Sequence, residues 1–215
     1  MSKIAKSLIK HKVAGFESGE VDFLELSKYK GLIADKEYFS FVIDSKNGGF
    51  FYGQSLHIYG YSQIHAYHDM ESINLLLQKE YGDITNGLVS FAQDLFGNQF
   101  CFDTAGNNIV FLDVETGGKD VIARDFSSWV DALQERLHYF TGINVLEEWV
   151  LNDQLKFDQR LCPKVPFVMG GEFKVNNLYA SSFPNSIRAY ANIARQVYNL
   201  PEGTPVKLNI GKKTS

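Results

Sequence analysis

The run LVSFAQDLFGNQFCFDTAGNNIVFLDVETGGKDVIARDFSSWVDALQERLHYF, residues 88–140, decides the fold. Its segments LVSFAQD, NQFCFDT and NIVFLDV are rich in β-branched and aromatic residues, and LFG and AGN, between them, suit the tight turns of adjacent antiparallel strands. In the second, Phe100 and Phe102 alternate with Cys101 and Asp103, and in the third Val110 and Leu112 alternate with Phe111 and Asp113. A further turn, Glu115-Thr116-Gly117-Gly118, leads into the strand DVIARDF. A helix follows directly, with Ser127 or Ser128 as N-cap and Trp129, Ala132, Leu133, Arg136, Leu137 and Phe140 at helical spacing. Trp129, Leu133 and Leu137 are expected to pack this helix on the strands.

Upstream, residues 34–46 place Tyr38, Phe39, Phe41, Val42 and Ile43 at roughly helical spacing before Asn47-Gly48-Gly49. The reversal there requires positive φ at Gly48 or Gly49. Residues 50–59 read as one strand, and Asp69 as the N-cap of a helix carrying Ile73, Leu75, Leu76 and Leu77 to Gly82. Downstream, residues 152–166, with Pro163 and Pro166, have the look of a linker. PFVMGGEF and NNLYASSF read as extended pieces. Pro184 opens a helix with Ile187, Tyr190, Ala191, Ala194 and Val197 on its apolar face, and Val206, Leu208 and Ile210 alternate as a last short strand. The fold class is therefore α+β: an antiparallel meander with helices packed on it. Residues 1–215 are expected to form one domain, with a core over residues 34–140, an N-terminal segment and a C-terminal extension over 163–215.

Three stretches, in this order, resemble the SUKH superfamily of Smi/Knr-type proteins. The first is the aromatic helix ending in Asn47-Gly48-Gly49 before a hydrophobic strand. The second is FGNQFCFD at residues 96–103 with its partner IVFLDVETG, and the third is Ala123 and Phe126 running into the Trp129 helix. The resemblance implies a compact α+β fold without catalytic activity. Many bacterial members are immunity proteins that bind and neutralise a cognate toxin domain, and others are regulatory or scaffolding proteins.

His57, His65 and His68 lie close in sequence, but without an HExxH or a His–Cys pair they read as surface or half-buried side chains, and no metal or cofactor is expected. Asp103, Asp113 and Glu115 read as turn residues, not as an acid–base pair. Gly48-Gly49, Gly117-Gly118 and Gly170-Gly171 match no phosphate-cradle motif, and neither Ser127-Ser128 nor Cys101 sits in a GxSxG elbow. Cys101 and Cys162, far apart in a chain with no export signal, read as buried thiols of a cytoplasmic protein. No apolar run reaches the ~18 residues a membrane span needs.

Charge is unevenly spread within a net −4: residues 94–135 hold eight acids against Lys119 and Arg124, whereas the first twelve residues carry Lys3, Lys6, Lys10 and Lys12 with no acid. From Arg188 onward, Arg188, Arg195, Lys207, Lys212 and Lys213 face Glu202 alone. Central acidity argues against direct nucleic-acid binding. It suggests a face for a basic protein partner, a toxin domain above all, centred on Asp113, Glu115 and Asp120 around a turn expected to project into solvent. The aromatic segment 50–61 is the alternative interface.

Overall fold

The computed structural model describes residues 3–201 and 203–209, with side chains from Lys6 onward. Ile210 of the expected last strand, Glu202, Lys212 and Lys213 lie outside the described residues, as does the side chain of Lys3. In chain order the elements are α1 (Lys3–Ile9), α2 (Phe23–Lys30), α3 (Lys36–Asp44), β1 (Gly49–Phe51), β2 (Leu56–Ile58), α4 (Met70–Tyr81), β3 (Leu88–Asp94) and β4 (Gln99–Asp103). They continue as β5 (Ile109–Leu112), β6 (Lys119–Ala123), α5 (Phe126–Glu135), α6 (Leu137–Thr141), α7 (Ile143–Trp149), β7 (Gln159–Pro163), β8 (Leu178–Ser182) and α8 (Asn185–Val197). Strands β1 to β6 form one antiparallel sheet in sequence order, and β7 and β8 a separate hairpin, so the α+β meander expected from the sequence is the architecture found.

One face of the sheet is covered by α3 and α5, while α4 packs against the other, where Asn74 and Leu77 line a cavity with Ser90, Cys101 and Leu112. On the first face, Tyr38 and Phe41 from α3, Phe91 from β3, Phe102 from β4, and Phe126 and Trp129 from α5 meet as packed rings. Tyr38 lies 5.4 Å from Phe91, and Phe91 lies 5.0 Å from Trp129, centroid to centroid. Trp129 and Leu133 are buried as expected, while Leu137 is only partly so because the helix breaks at Arg136 (φ −126°, ψ 40°) before restarting as α6. Asp69 caps α4 by accepting from Ser72 N, and Gly48 and Gly49 take φ of 65° and 118° at the end of α3.

Several local expectations are corrected. The cap of α5 is Asp125, not Ser127 or Ser128. Its carboxylate accepts from Ser128 N while Ser128 Oγ accepts from Asp125 N, a reciprocal capping box. Residues 50–59 form a hairpin, β1 and β2, reversed at Tyr52-Gly53-Gln54, where all three φ are positive. The turn escapes the sequence because the residues on both sides of it are buried. Residues 152–166 are not a linker, since they contain β7, which is tied to the chain just after β3 by Leu161 N donating to Leu95 O. Within PFVMGGEF, Phe167–Met169 form a 3₁₀ turn between Pro166 and the left-handed Gly170. No strand runs through Val206 and Leu208. Leu75 of α4 points to solvent.

The opposite face of the sheet presents Phe50, His57 and Gln93 at paired positions. It is closed over these positions by parts of the chain distant in sequence: Phe16 from the N-terminal loop, Phe157 from the stretch leading into β7, and Arg160 from β7 itself.

Candidate functional site

The acidic segment is put to uses its charge count did not show. Asp94 is buried and accepts from Phe96 N, Asn98 N and Asn98 Nδ2 at 2.8, 2.8 and 2.9 Å. Asp103 receives Ala105 N and Gly106 N, and Asp113 receives Glu115 N and Thr116 N at 2.8 and 2.9 Å. These are Asx turns, in which a short carboxylate takes the place of a backbone acceptor. With Asp125 capping α5, four of the eight acids are bound to local backbone.

Glu115 departs further from expectation. It is 3% exposed, turned inward from the β5–β6 turn, and its Oε1 accepts from Val168 N at 2.7 Å, so it pins the C-terminal extension and does not project into solvent. Burial pushes its carboxyl up to about 7. Of the three residues singled out on the sequence, Asp120 alone is exposed; Asp113 is partly covered.

Asp120 lies on β6, at one edge of the sheet. The other edge, β1, is met by the N-terminal segment, with Val13 N donating to Phe50 O and Tyr52 N to His11 O. Among the described residues no strand pairs with the outer edge of β6, where Lys119, Asp120 and Val121 are exposed. An edge of this kind offers backbone donors and acceptors to an extended segment of a partner. Its charged side chains and the bulge in its pairing with β5 guard it against indiscriminate pairing. The alternative aromatic interface, residues 50–61, is largely buried and unavailable as a surface: Phe50, Tyr59 and Tyr61 are all inside.

The histidines are brought together, but in the interior. His57 and His68 are buried, with His57 Nε2 2.9 Å from His68 Nδ1, whereas His65 is partly exposed and stacks on Tyr67. The reading as surface or half-buried side chains therefore fails for two of the three, because the β1–β2 hairpin and the 65–68 turn fold against each other beneath Phe16. His68 Nε2 lies 2.9 Å from Asn47 O, and His57 Nδ1 lies 3.1 Å from Gln93, beyond which is the guanidinium of Arg160. Burial, followed by the positive charge of Arg160, holds His57 well below the usual histidine range, and burial takes His68 down to about 3. Burial also lowers Arg160 to about 10. Among the described residues no group of three or more His, Cys, Asp or Glu is placed to hold a metal ion. Asn47, Gln93 and Arg160 were not anticipated. The one available signal was an arginine inside the apolar run QRLCP. Cys101 and Cys162 are both buried and unbridged. Among the described residues no helix is long and apolar enough to cross a membrane.

A helix-covered antiparallel meander, entered through the Asn47-Gly48-Gly49 reversal and left through the Trp129 helix, is an α+β fold of the SUKH type. The model of the SMI1/KNR4 family (SUKH-1) matches residues 20–132, more than half of the chain, and the chain belongs to that family. The crystal structure of Atu4351 from Agrobacterium tumefaciens has the same fold, with a TM-score of 0.60 at 13% identity, covering 89% of this chain and 88% of that one. No curated protein matches the sequence.

Proposed function

We propose that this chain is a non-enzymatic protein-binding module, an immunity protein that binds and neutralises a bacterial toxin domain in the cytoplasm. The observation that carries this reading is membership of the SMI1/KNR4 family (SUKH-1), in which many bacterial members have that role. Residues 1–215 act as one SUKH-like domain, with an N-terminal segment and a C-terminal extension joined to the 34–140 core. The partner is engaged along the free edge of β6, through Asp120 and the rim at Asp113, while Glu115 holds the turn from within. A toxin that cleaves or modifies nucleic acid needs a basic cleft, and exposed carboxylates beside an open strand edge complement one. The chain itself contacts neither nucleic acid nor membrane.

The test is co-purification from the native host to identify the partner, followed by co-expression with that partner's toxin domain. Growth should be restored and the two proteins should elute together in size exclusion. Growth arrest at undiminished strength, with no complex, would sink the reading.

A further inference from the structure

The polar seam under the N-terminal loop and β7 is one proton short of satisfying its hydrogen bonds. The carbonyl of Asn47 can only accept, so His68 Nε2, 2.9 Å away, must carry hydrogen. His68 Nδ1 then accepts from His57 Nε2 at 2.9 Å, which leaves a lone pair on His57 Nδ1. Facing it, one amide atom of Gln93 lies 3.1 Å from His57 Nδ1 and 3.2 and 3.3 Å from Nε and Nη2 of Arg160. With nitrogen there, Gln93 donates to His57 but abuts two N–H donors of Arg160. With oxygen there, it accepts from Arg160, and His57 Nδ1 needs a hydrogen too. Every bond is made at once only when the two rings share one extra proton and one positive charge. An unmade buried hydrogen bond is costly, but the cost is bounded. A second cation buried beside Arg160 costs more, so the neutral pair wins at neutral pH and one mismatch persists.

We propose that the His57–His68 pair is a proton-operated latch: while neutral it keeps Phe16 and residues 157–160 closed over the β1–β2 hairpin, and proton uptake opens them. Both lids rest on the pair or on the ring stacked against it. Phe16 packs on His68 at 5.0 Å and on Phe50 at 4.7 Å. Phe157 packs on Phe50 at 4.8 Å and on Phe16 at 5.0 Å, and Phe50 itself stacks on His57 at 3.9 Å. The Arg160 guanidinium lies over Phe50, 5.2 Å from its centroid. Phe16 and Phe157 both sit outside helix and strand.

The groups around the pair favour its neutral form. Lys12, anchored on Ser45 O, faces it from the N-terminal segment, His65 and Tyr67 from the adjoining turn, and Arg160 from β7. Asp158 beside β7, Asp94 on β3 and Tyr59 after β2 attend the Arg160 cation. An exposed histidine takes its proton near pH ~6.5, whereas the closed pair does so far lower. Between those limits the open form should gain about tenfold in population per pH unit for each histidine that protonates on opening.

Hydrogen exchange on the full chain, corrected for intrinsic rates, tests this. Segments 13–20 and 155–162 should lose protection about tenfold or more between roughly pH 6.5 and pH 5.5, while β3 to β5 stay protected. In Gln93→Glu the carboxylate can accept from His57 and Arg160 together, so the closed pair retains its proton and the acid opening should vanish. Protection independent of pH in the wild type, or an unchanged acid opening in Gln93→Glu, overturns the proposal. Should that variant fail to fold, ¹⁵N NMR of the wild type decides. Two Nε2–H tautomers that persist to about pH 5.5 in the closed protein support the latch, and titration of either ring near pH ~6.5 in the closed protein refutes it.

Discussion

On one face of the β1–β6 sheet, Tyr38, Phe91, Phe126 and Trp129 meet ring against ring under helices that are close to them in sequence. On the other, His57, Gln93 and Arg160 meet through hydrogen bonds under two segments from opposite ends of the chain. The first face gains stability from apolar area, which is tolerant of detail. The second gains it from geometry, because a buried polar group is neutral or costly according to whether its partner is in place. The comparison predicts that truncation hurts most on the apolar face, and that pH matters most on the polar one.

Trp129→Ala should therefore have the largest effect, a loss of about 3–5 kcal/mol in urea unfolding. Among the described residues Trp129 Nε1 has no hydrogen-bond partner, so Trp129→Phe removes ring area but breaks none of these bonds and should cost far less. Unchanged unfolding in Trp129→Ala together with loss of a partner would make Trp129 an interface residue and erase the contrast between the faces.

Asn47→Ala probes the polar side. The amide nitrogen of Asn47 lies 3.1 Å from Ser18 O and reaches three further carbonyls, its oxygen accepts from Tyr61 N at 2.8 Å, and its backbone sits at φ 67°. Stranding those buried groups and placing alanine in the left-handed region should cost about 2–4 kcal/mol. A loss below ~1 kcal/mol would mean that this network contributes little.

How much of each face could be read from the sequence follows from the same contrast. The β3–β5 meander, the Asp69 cap and the apolar side of α5 were legible because each is written within a few residues as a period, a turn or a cap. The β1–β2 turn was hidden inside a continuous apolar run. Asp103 and Asp113 were legible as turn residues, but Asp94 passed for surface charge because an Asx-turn aspartate has the same composition as a solvated one. Glu115 and Arg160 depend on partners about fifty residues or more away along the chain, Val168 for the one and Gln93 for the other. No local pattern encodes those meetings.

Asp94→Asn should have an effect whose size depends on pH. Burial raises the Asp94 carboxyl to about 7, above the ~3.9 of an unfolded aspartate. A group raised in this way contributes stability that is fully present below pH ~4 and fades as pH rises to about 7. Asparagine cannot ionise and keeps an oxygen for Phe96 N and Asn98 N. The variant should therefore gain on the wild type by up to about 1.4 kcal/mol per pH unit across that window, and by nothing further above it. The buried histidines act in the opposite sense, since their contribution is lost as pH falls below ~6.5. Urea unfolding of both proteins at several pH values separates the two, and a difference that stays constant across the window would show that Asp94 does not titrate there.

The smallest effect on stability is expected where the effect on function should be largest. Asp120 is exposed on the free edge of β6, makes no cap, and faces the partner in the proposed complex. Asp120→Lys should change unfolding by less than about 0.5 kcal/mol, as surface substitutions usually do. It should nevertheless slow association with a basic toxin domain at low salt and weaken the salt dependence of that rate, because edge charge acts mainly on encounter. Asp113→Asn measures the share of the rim: it keeps an acceptor for Glu115 N and Thr116 N, so it changes the charge without releasing the turn, and it should slow association less than Asp120→Lys. If stopped-flow mixing gives Asp120→Lys the wild-type rate at low salt, the partner does not approach along β6. Equal slowing by both variants would instead locate the effect in the general field of the turn, not at the strand edge.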